Sequence, residues 1–260
     1  MKERIGIIGC GNMGKAIISQ NQGLIVFDKD VKKTRHIKRR YRVSVAFDNQ
    51  ELVKKSNVIV IAVKPQDIDE VLKEIKSVIT SQLVISIAAG ITTKYIEKAI
   101  DGKVRVVRVM PNIAAQVQSG ISAICRGRFS RNSDILIAEK IFKKLGKVVR
   151  VKEDHIDVFT AIAGSGPAYF FYFIEALSNA GKRLGFKDRE IVDFVKEVAI
   201  GSIKLLEETG LSAKELREKV TSKKGTTEAA LKVFRHEKLN EIVRKAILKA
   251  TKRAKQLSRR

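Results

Sequence analysis

Short apolar runs alternate with amphipathic segments along the first half of the chain. This alternation is typical of parallel β-strands joined by crossover helices. The run at residues 58–63 is almost entirely isoleucine and valine, as expected of a strand covered on both faces. The predicted strands span residues 4–8, 24–27, 43–45, 58–63, 83–87 and 104–109. Residues 121–125 and 148–151 extend the sheet, and helices are predicted near residues 67–79, 92–99 and 133–145.

The pattern changes after residue 154, where strand-like runs stop and helical periodicity takes over. Long helices are predicted at residues 167–184 and 188–208, with Gly210 as the stop signal of the second. Ser212 and Glu215 then form a capping box that opens another helix.

Residues 169–174 read Tyr-Phe-Phe-Tyr-Phe-Ile, and on a helix they are apolar nearly all round. A small helical domain has difficulty burying such a segment alone, so we expect a subunit interface there. The sequence therefore predicts an α/β Rossmann-type, doubly wound parallel sheet in residues 1–152. An all-α dimerisation domain follows in residues 153–260.

The first predicted strand runs directly into a G-x-G-x-x-G turn that opens a helix. Gly9 makes the tight turn, Gly11 lets the backbone approach a pyrophosphate, and Gly14 permits close packing of helix on strand. Asp28 stands at the tip of the second strand, nineteen positions beyond Gly9. This context matches the dinucleotide fingerprint, in which the helix N-terminus binds phosphate.

The residues after the second strand give opposite indications of cofactor preference. Asp28 can accept hydrogen bonds from the ribose hydroxyls of NADH and would repel a 2′-phosphate. However, Lys29, Lys32, Lys33 and Arg35 follow it, and these cations would favour the 2′-phosphate of NADPH. The sequence slightly favours NADH and leaves NADPH open.

The composition excludes several classes of protein. Of the 260 residues, 44% are hydrophobic and 31% are charged, which is enough apolar material for a core and excludes general disorder. The two cysteines, Cys10 and Cys125, are far apart and in no metal-ligand pattern, so neither a disulfide framework nor a metal site is predicted. No apolar run approaches the roughly 18 residues that span a bilayer. We expect a globular cytoplasmic protein, because the basic start of the chain runs into a glycine-rich turn and makes a poor signal peptide.

The formal net charge is +24, and it is unevenly distributed. Residues 29–42 hold eight basic residues and one acid, and residues 235–260 hold ten basic residues and two acids. Such patches can bind phosphate-rich partners, including nucleic acid. Two solvated helix faces explain them more simply, since only 6% of residues are aromatic and the two basic runs, which contain Tyr41 alone, lack the interleaved aromatics of single-strand binders. We expect neither a specific nucleic-acid partner nor a membrane partner.

Two segments of the helical domain carry candidate chemistry. Residues 164–169 read GSGPAY and open its first long helix, and residues 220–231 place hydroxyls and a glycine just ahead of another helix. Backbone amides at the second segment, aided by Ser222, can bind a small carboxylate. Plain N-capping by Ser165 and Thr226 is the alternative reading of both segments.

With these segments in view, the chain resembles the pyrroline-5-carboxylate reductase family over nearly its whole length. The resemblance rests on IGIIGCGNMGKAI, AVKPQ, SIAAGI, RVMPN, GSGPAYFFYFIEAL and VTSxxGTTxAAL, of which the last two are specific to that family. It implies a homodimer that assembles into a larger ring, often of five dimers. It also implies reduction of 1-pyrroline-5-carboxylate, an anionic imino acid, to L-proline with NAD(P)H.

The resemblance and the chemistry together suggest residue roles. Thr227 is the candidate catalytic residue, with its hydroxyl hydrogen-bonded to the ring nitrogen, because a protonated imine needs orientation more than a strong acid. Ser222, Gly225 and Thr226 would join Thr227 in binding the substrate. The candidate cofactor-binding residues are Gly9, Gly11, Asn12, Met13, Gly14, Asp28, Lys29, Ala62, Val63, Lys64, Pro65 and Asn112.

The chain departs from the family pattern in two places. Lys223-Lys224 stands where members usually have Pro-Gly, and Ile113-Ala114 stands where they usually have Thr-Pro. The lysine pair lies beside the proposed carboxylate site, so it either strengthens anion binding or indicates a different imino acid.

Other classes remain as alternatives. A β-hydroxyacid dehydrogenase shares the two-domain plan, but it needs a lysine base where this chain has Phe170 and an asparagine where it has Ile174. A nucleic-acid-binding protein that retains the fold is the alternative that the basic patches suggest. His36, His155 and His236 fit no catalytic constellation and are expected on the surface.

Overall fold

The computed structural model describes residues 3–258 and contains one eight-stranded sheet. Its strands are β1 (Ile5–Ile8), β2 (Ile25–Phe27), β3 (Ser44–Val45), β4 (Val58–Ile61), β5 (Leu83–Ser86), β6 (Arg105–Met110), β7 (Gly120–Arg126) and β8 (Gly146–Arg150). They pair in the order β3-β2-β1-β4-β5-β6-β7-β8. The chain therefore winds first to one side of β1 and then to the other, which leaves a crevice at the carboxyl ends of β1 and β4. The predicted strands and the Rossmann-type fold are confirmed.

Helices cover both faces of this sheet. They are α1 (Asn12–Gln20), α2 (Val31–Arg40), α3 (Asn49–Lys55), α4 (Ile68–Ile75), α5 (Thr93–Ile100), α6 (Asn132–Phe142) and α7 (Ile156–Phe159). Side-chain N-caps determine where two of the helices near the crevice begin. The Asp30 carboxylate accepts the N–H of Lys32 at the start of α2, and the Asp48 carboxylate accepts the N–H of Glu51 in α3.

The sheet departs from parallel pairing at one strand. β7 runs antiparallel to β6, with Met110 opposite Ala123, and β8 is again parallel to β7. Between β6 and β7 lies a short 3-10 turn, Ile113–Val117, whereas a parallel crossover needs about a dozen residues and usually a helix.

The hydrophobic core lies on the two faces of this sheet. All four residues of β4 are buried, as predicted for a central strand. One cluster gathers around Ile17, Val60 and Phe142, and the other around Leu52, Ile59 and Leu72.

The later part of the chain is helical, as predicted. It contains α8 (Gly166–Arg183), α9 (Asp188–Thr209), α10 (Ala213–Lys219), α11 (Thr226–His236) and α12 (Leu239–Leu257). The capping box of Ser212 and Glu215 opens α10, and Gly210 ends α9 in the left-handed conformation.

The chain divides into two compact units. Gly166–Lys249 forms the helical unit, and the residues up to Ser165 form the sheet unit together with those from Ala250 onward. The predicted boundary between residues 152 and 153 stays a prediction.

The helical unit has almost no core of its own. Ile191 is the one buried aliphatic or aromatic side chain among residues 166–249, and it packs against Gly181 where α8 and α9 cross. In α8, Phe171 is 63% exposed and Tyr172 is 74% exposed. Such a large exposed aromatic surface indicates that another protein surface packs against these helices.

Two other expectations concern the surface of the chain. His36, His155 and His236 are all exposed, as predicted. Within residues 3–258, no helix is long and apolar enough to cross a membrane. Arg259 and Arg260, at the end of the second basic run, lie outside the described residues.

Candidate functional site

A cavity of about 700 Å³ opens at the carboxyl ends of β1, β2 and β4. The residues that follow these strands line it: Gly9 and Gly11 after β1, Phe27, Asp28 and Lys29 at β2, and Ala62, Val63 and Lys64 after β4. This is the point where the winding of the sheet reverses, and ligands of open α/β sheets bind at such points.

The glycine-rich turn is shaped as a phosphate cradle. Gly9 has a φ of 103°, and a Cβ there would lie 2.6 Å from the carbonyl oxygen of Ala62. A Cβ on Gly14 would collide with the carbonyl oxygen of Gly9, so the helix can approach the strand only with glycine at this position. Gly11 is the N-cap of α1, and no side chain caps this end of the helix. The first amides of α1 therefore remain available to a phosphate.

These features fit a dinucleotide. A Cβ on Gly11 would stand in open space beside the cavity, which is the room that a pyrophosphate needs. Gly9, Gly11 and Asn12–Gly14 would hold the phosphates through backbone amides, and Asp28 lies where the adenosine ribose is expected.

Asp28 also holds the turn together. Its Oδ2 accepts the N–H of Cys10 at 2.7 Å, and its Oδ1 accepts the N–H of Asp30 at 2.8 Å. The side chain is only 9% exposed. The carboxylate thus connects the phosphate loop to the turn after β2, and this second role is not evident from the fingerprint spacing.

Cys10 lies inside the phosphate loop but is not a reactive thiol. Burial, and secondarily the negative charge of Asp28, raise the pKa of the Cys10 thiol to about 12. Its amide, not its sulfur, contributes to the loop. The raised pKa keeps the thiol protonated at neutral pH, which disfavours nucleophilic chemistry at this sulfur.

Five of the predicted cofactor-binding residues do not line this cavity, as judged over residues 3–258. Asn12, Met13 and Gly14 form the first turn of α1, and Pro65 begins a short 3-10 turn after β4. Asn112 has both ends of its amide engaged: Oδ1 accepts the N–H of Ile121, and Nδ2 donates to the carbonyl of Ala163, each at 3.2 Å. Its cofactor contact stays a prediction.

The structure adds residues that sequence reasoning missed. Asp48, Asn49 and Gln50 at the start of α3, and Gln66, Asp67, Glu70 and Glu74 after β4, all line the cavity. Asn49 is buried; its Nδ2 donates to Glu74, and its Oδ1 has no hydrogen-bond partner among the described residues. The signal was present in the sequence, since a helix that follows a parallel strand begins at the edge where the neighbouring strands end.

The second candidate segment lies at the start of α11 in the helical unit. Gly225 is the N-cap, and no side chain caps the helix, so the prediction of plain capping by Thr226 is wrong. The Ser222 hydroxyl occupies the space that a Cβ on Gly225 would need. Ser222 and the first amides of α11 therefore lie together, with Thr227 half-buried one position into the helix. This arrangement can bind a carboxylate.

Lys224 occupies an unfavourable backbone position beside that segment. Its φ is 62°, in the left-handed region that favours glycine, and its N–H donates to the Glu228 carboxylate at 2.7 Å. The loop thus keeps a left-handed turn although glycine is absent from this position.

We expect Lys224→Gly to raise the free energy of unfolding by about 1 kcal/mol, since glycine removes the left-handed strain. Urea denaturation at one fixed protein concentration measures this. Lys223→Gly is the matched control, because the φ of Lys223 is not positive, and there we expect no stabilisation. Equal effects of the two substitutions would contradict the assignment of strain to residue 224.

Comparisons with known proteins match both parts of the chain. Residues 153–257 match a family described as pyrroline-5-carboxylate reductase dimerisation, and residues 4–90 match one described as NADP oxidoreductase, coenzyme F420-dependent. The pyrroline-5-carboxylate reductase of Methanosarcina acetivorans is 34% identical over 99% of both chains. That of Aquifex aeolicus is 35% identical over 98% of this chain and 97% of its own. The structure of a pyrroline-5-carboxylate reductase from Coxiella burnetii covers 100% of both chains at 34% identity, with a TM-score of 0.93.

A Rossmann-type sheet with this phosphate loop, followed by a dimerisation domain, defines an NAD(P)-dependent oxidoreductase that forms homo-oligomers. Sequence and structure agree over the full length with one family of such enzymes. The chain belongs to the pyrroline-5-carboxylate reductase family. The predicted resemblance and fold class are confirmed, and the exposed aromatic residues of α8 lie within the matched dimerisation domain.

Proposed function

We propose that this protein reduces 1-pyrroline-5-carboxylate to L-proline with a reduced nicotinamide dinucleotide. The observation that carries the proposal is the full-length similarity to curated pyrroline-5-carboxylate reductases from a bacterium and an archaeon. The family's solved structures include one from Plasmodium falciparum with NADP bound, 27% identical with a TM-score of 0.89. The cavity at β1, β2 and β4 supports the same cofactor class.

The start of α11 supports the substrate assignment. The substrate carries a carboxylate next to a cyclic imine, and the free amides of α11 with the Ser222 hydroxyl match the carboxylate. A side chain at position 225 would displace the Ser222 hydroxyl from this place. Lys223 and Lys224 add positive charge beside this segment, which strengthens anion binding at long range.

The reduction of a protonated imine needs no strong general acid or base in the protein. The bound nicotinamide supplies the hydride. The hydride goes to the imine carbon while the C=N electron pair moves onto the nitrogen, so a protonated imine becomes a neutral amine without a further proton. Thr227 would orient the ring nitrogen through a hydrogen bond, and Ser222, Gly225 and Thr226 would hold the carboxylate. Positioning of this kind supplies much of the rate enhancement in such reactions.

The test is oxidation of NADH and of NADPH at 340 nm, with 1-pyrroline-5-carboxylate as the varied substrate and proline identified as the product. We expect saturable turnover that is absent with open-chain imines lacking a carboxylate. An enzyme that oxidises neither cofactor with this substrate would refute the proposal.

We also propose that the homodimer assembles into a larger ring and that the protein is cytoplasmic. The ring is what the family resemblance implies. Both cysteines are free and buried, as expected of a reducing compartment. Light scattering of the purified protein measures the mass; a mass of two chains at working concentration would exclude the ring.

A further inference from the structure

The charged groups around the adenosine end of the cavity indicate which dinucleotide is used. We propose that this chain selects NADH over NADPH, because a fixed carboxylate occupies the position of the 2′-phosphate and the nearest lysines are already paired. The inference rests on the proposed cofactor role of the cavity.

The first contribution is the rigidity of Asp28. The ribose of a dinucleotide binds at the tip of the second strand, where Asp28 stands. Both of its oxygens accept backbone N–H groups, from Cys10 at 2.7 Å and from Asp30 at 2.8 Å. The carboxylate cannot rotate away from a ligand without losing both bonds. Each oxygen keeps a second lone pair, which can accept a bond from a ribose hydroxyl but not from a phosphate oxygen.

The second contribution is the pairing of Lys29. Its Nζ lies 2.8 Å from Oδ1 of Asp67 and 3.5 Å from Oε2 of Glu70. The hydrogen bond to Asp67 raises the pKa of Lys29 and lowers the pKa of Asp67, so both groups stay ionised at neutral pH. Lys29 can bind a 2′-phosphate only by leaving these partners. Two carboxylates would then face the same ligand.

The third contribution comes from α2. Only Lys33 of this basic helix lines the cavity in the described part of the chain, and its Nζ is 3.8 Å from carboxylate oxygens of both Asp28 and Asp30. Lys32 and Arg35, which favour NADPH on sequence grounds alone, do not line the cavity. These two cations belong to the same helix, but they lie away from the proposed cofactor site.

The residues that line the cavity carry a net negative charge. Five carboxylates line it, those of Asp28, Asp48, Asp67, Glu70 and Glu74, against the three lysines Lys29, Lys33 and Lys64. Lys64 follows β4, which β1 separates from β2 in the sheet, so it lies on the far side of the phosphate loop from Asp28. A 2′-phosphate, with about two negative charges, would enter a surplus of like charge.

The test is calorimetric titration of the full-length protein with NADH and with NADPH, without an imine substrate. We expect NADH to bind roughly tenfold more tightly, as like-charge repulsion disfavours the 2′-phosphate. Steady-state kcat/KM for the two cofactors should show the same order. Higher salt should narrow the difference, because it screens the repulsion.

The double substitution Asp67→Asn, Glu70→Gln tests the pairing of Lys29. It releases this lysine and removes two carboxylates, so the ratio of NADPH to NADH affinity should rise by roughly tenfold. Asp69→Asn is the matched control: Asp69 lies between these two residues in the sequence, but it accepts a hydrogen bond from Tyr95 and does not line the cavity. The ratio should be unchanged in this variant.

Equal or tighter binding of NADPH to the unmodified protein would overturn the inference, as would a double variant whose ratio matches that of the control. These outcomes are separate from the fate of the proposed reaction. A protein that binds NADH selectively but does not reduce the imine would contradict the proposed function alone. A protein that reduces it equally well with both cofactors would contradict the inference alone.

Discussion

Replacement of Thr227 by valine should lower kcat about 100-fold, the usual effect of removing one hydrogen bond to a reacting centre. Valine has nearly the same shape as threonine but cannot donate or accept a hydrogen bond. The proposed bond to the imine nitrogen would be lost, whereas the Ser222 hydroxyl and the amides of α11 would still hold the carboxylate. KM should therefore change much less than kcat.

Thr209→Val is the control for this substitution. Thr209 lies at the end of α9, and its hydroxyl donates to the carbonyl of Leu205. Both variants should unfold within a few degrees of the unmodified protein, while only Thr227→Val should lose turnover. Unchanged kinetics in Thr227→Val would remove this residue from the mechanism.

The second large effect is expected at the aromatic face of α8. Phe171→Glu should convert the homo-oligomer into monomers whose helical unit unfolds well below the sheet unit. Phe171 is 63% exposed in the single chain, and its helix belongs to the dimerisation domain. Because a twofold dimer carries the substitution twice, two unpaired carboxylates would enter one apolar interface, at several kcal/mol each.

Sedimentation velocity and thermal circular dichroism measure this effect. Phe47→Glu is the matched control, since Phe47 is 88% exposed and lies in the sheet unit, outside the dimerisation domain. The control should keep the oligomeric state of the unmodified protein. If Phe171→Glu sediments like Phe47→Glu, this part of α8 does not form the interface.

Backbone requirements made the phosphate loop and the strands predictable. Gly9 and Gly14 are constrained by their immediate neighbours in space, and these constraints follow from strand, turn and helix alone. β4 was recognisable because burial on both faces demands continuous apolar residues. The direction of β7 could not be recognised from its apolar pattern, because this pattern fits either orientation. The short connection at Ile113–Val117 determines that β7 runs antiparallel to β6.

The sequence did not predict which side chains line the cavity or which partners they bind. The basic run after β2 includes Lys32, Lys33 and Arg35, but a helix turns successive residues through about 100°, and only Lys33 of these three reaches the cavity. The hydrogen bonds of Asn112 and Asp28 to backbone groups distant in sequence could not be predicted either. The positions of Asp67 and Glu70 after β4 could be predicted, but their pairing with Lys29 could not, because this lysine is 38 residues away from Asp67.

The scarcity of buried side chains in the helical unit has a kinetic consequence. The sheet unit contains the three hydrophobic clusters found in residues 3–258, so it can collapse within a single chain. In Gly166–Lys249 the one fully buried aliphatic or aromatic side chain is Ile191, so we expect its ordering to depend on an encounter with a second chain. Refolding should therefore show a fast phase independent of protein concentration and a slower second-order phase whose rate rises with concentration.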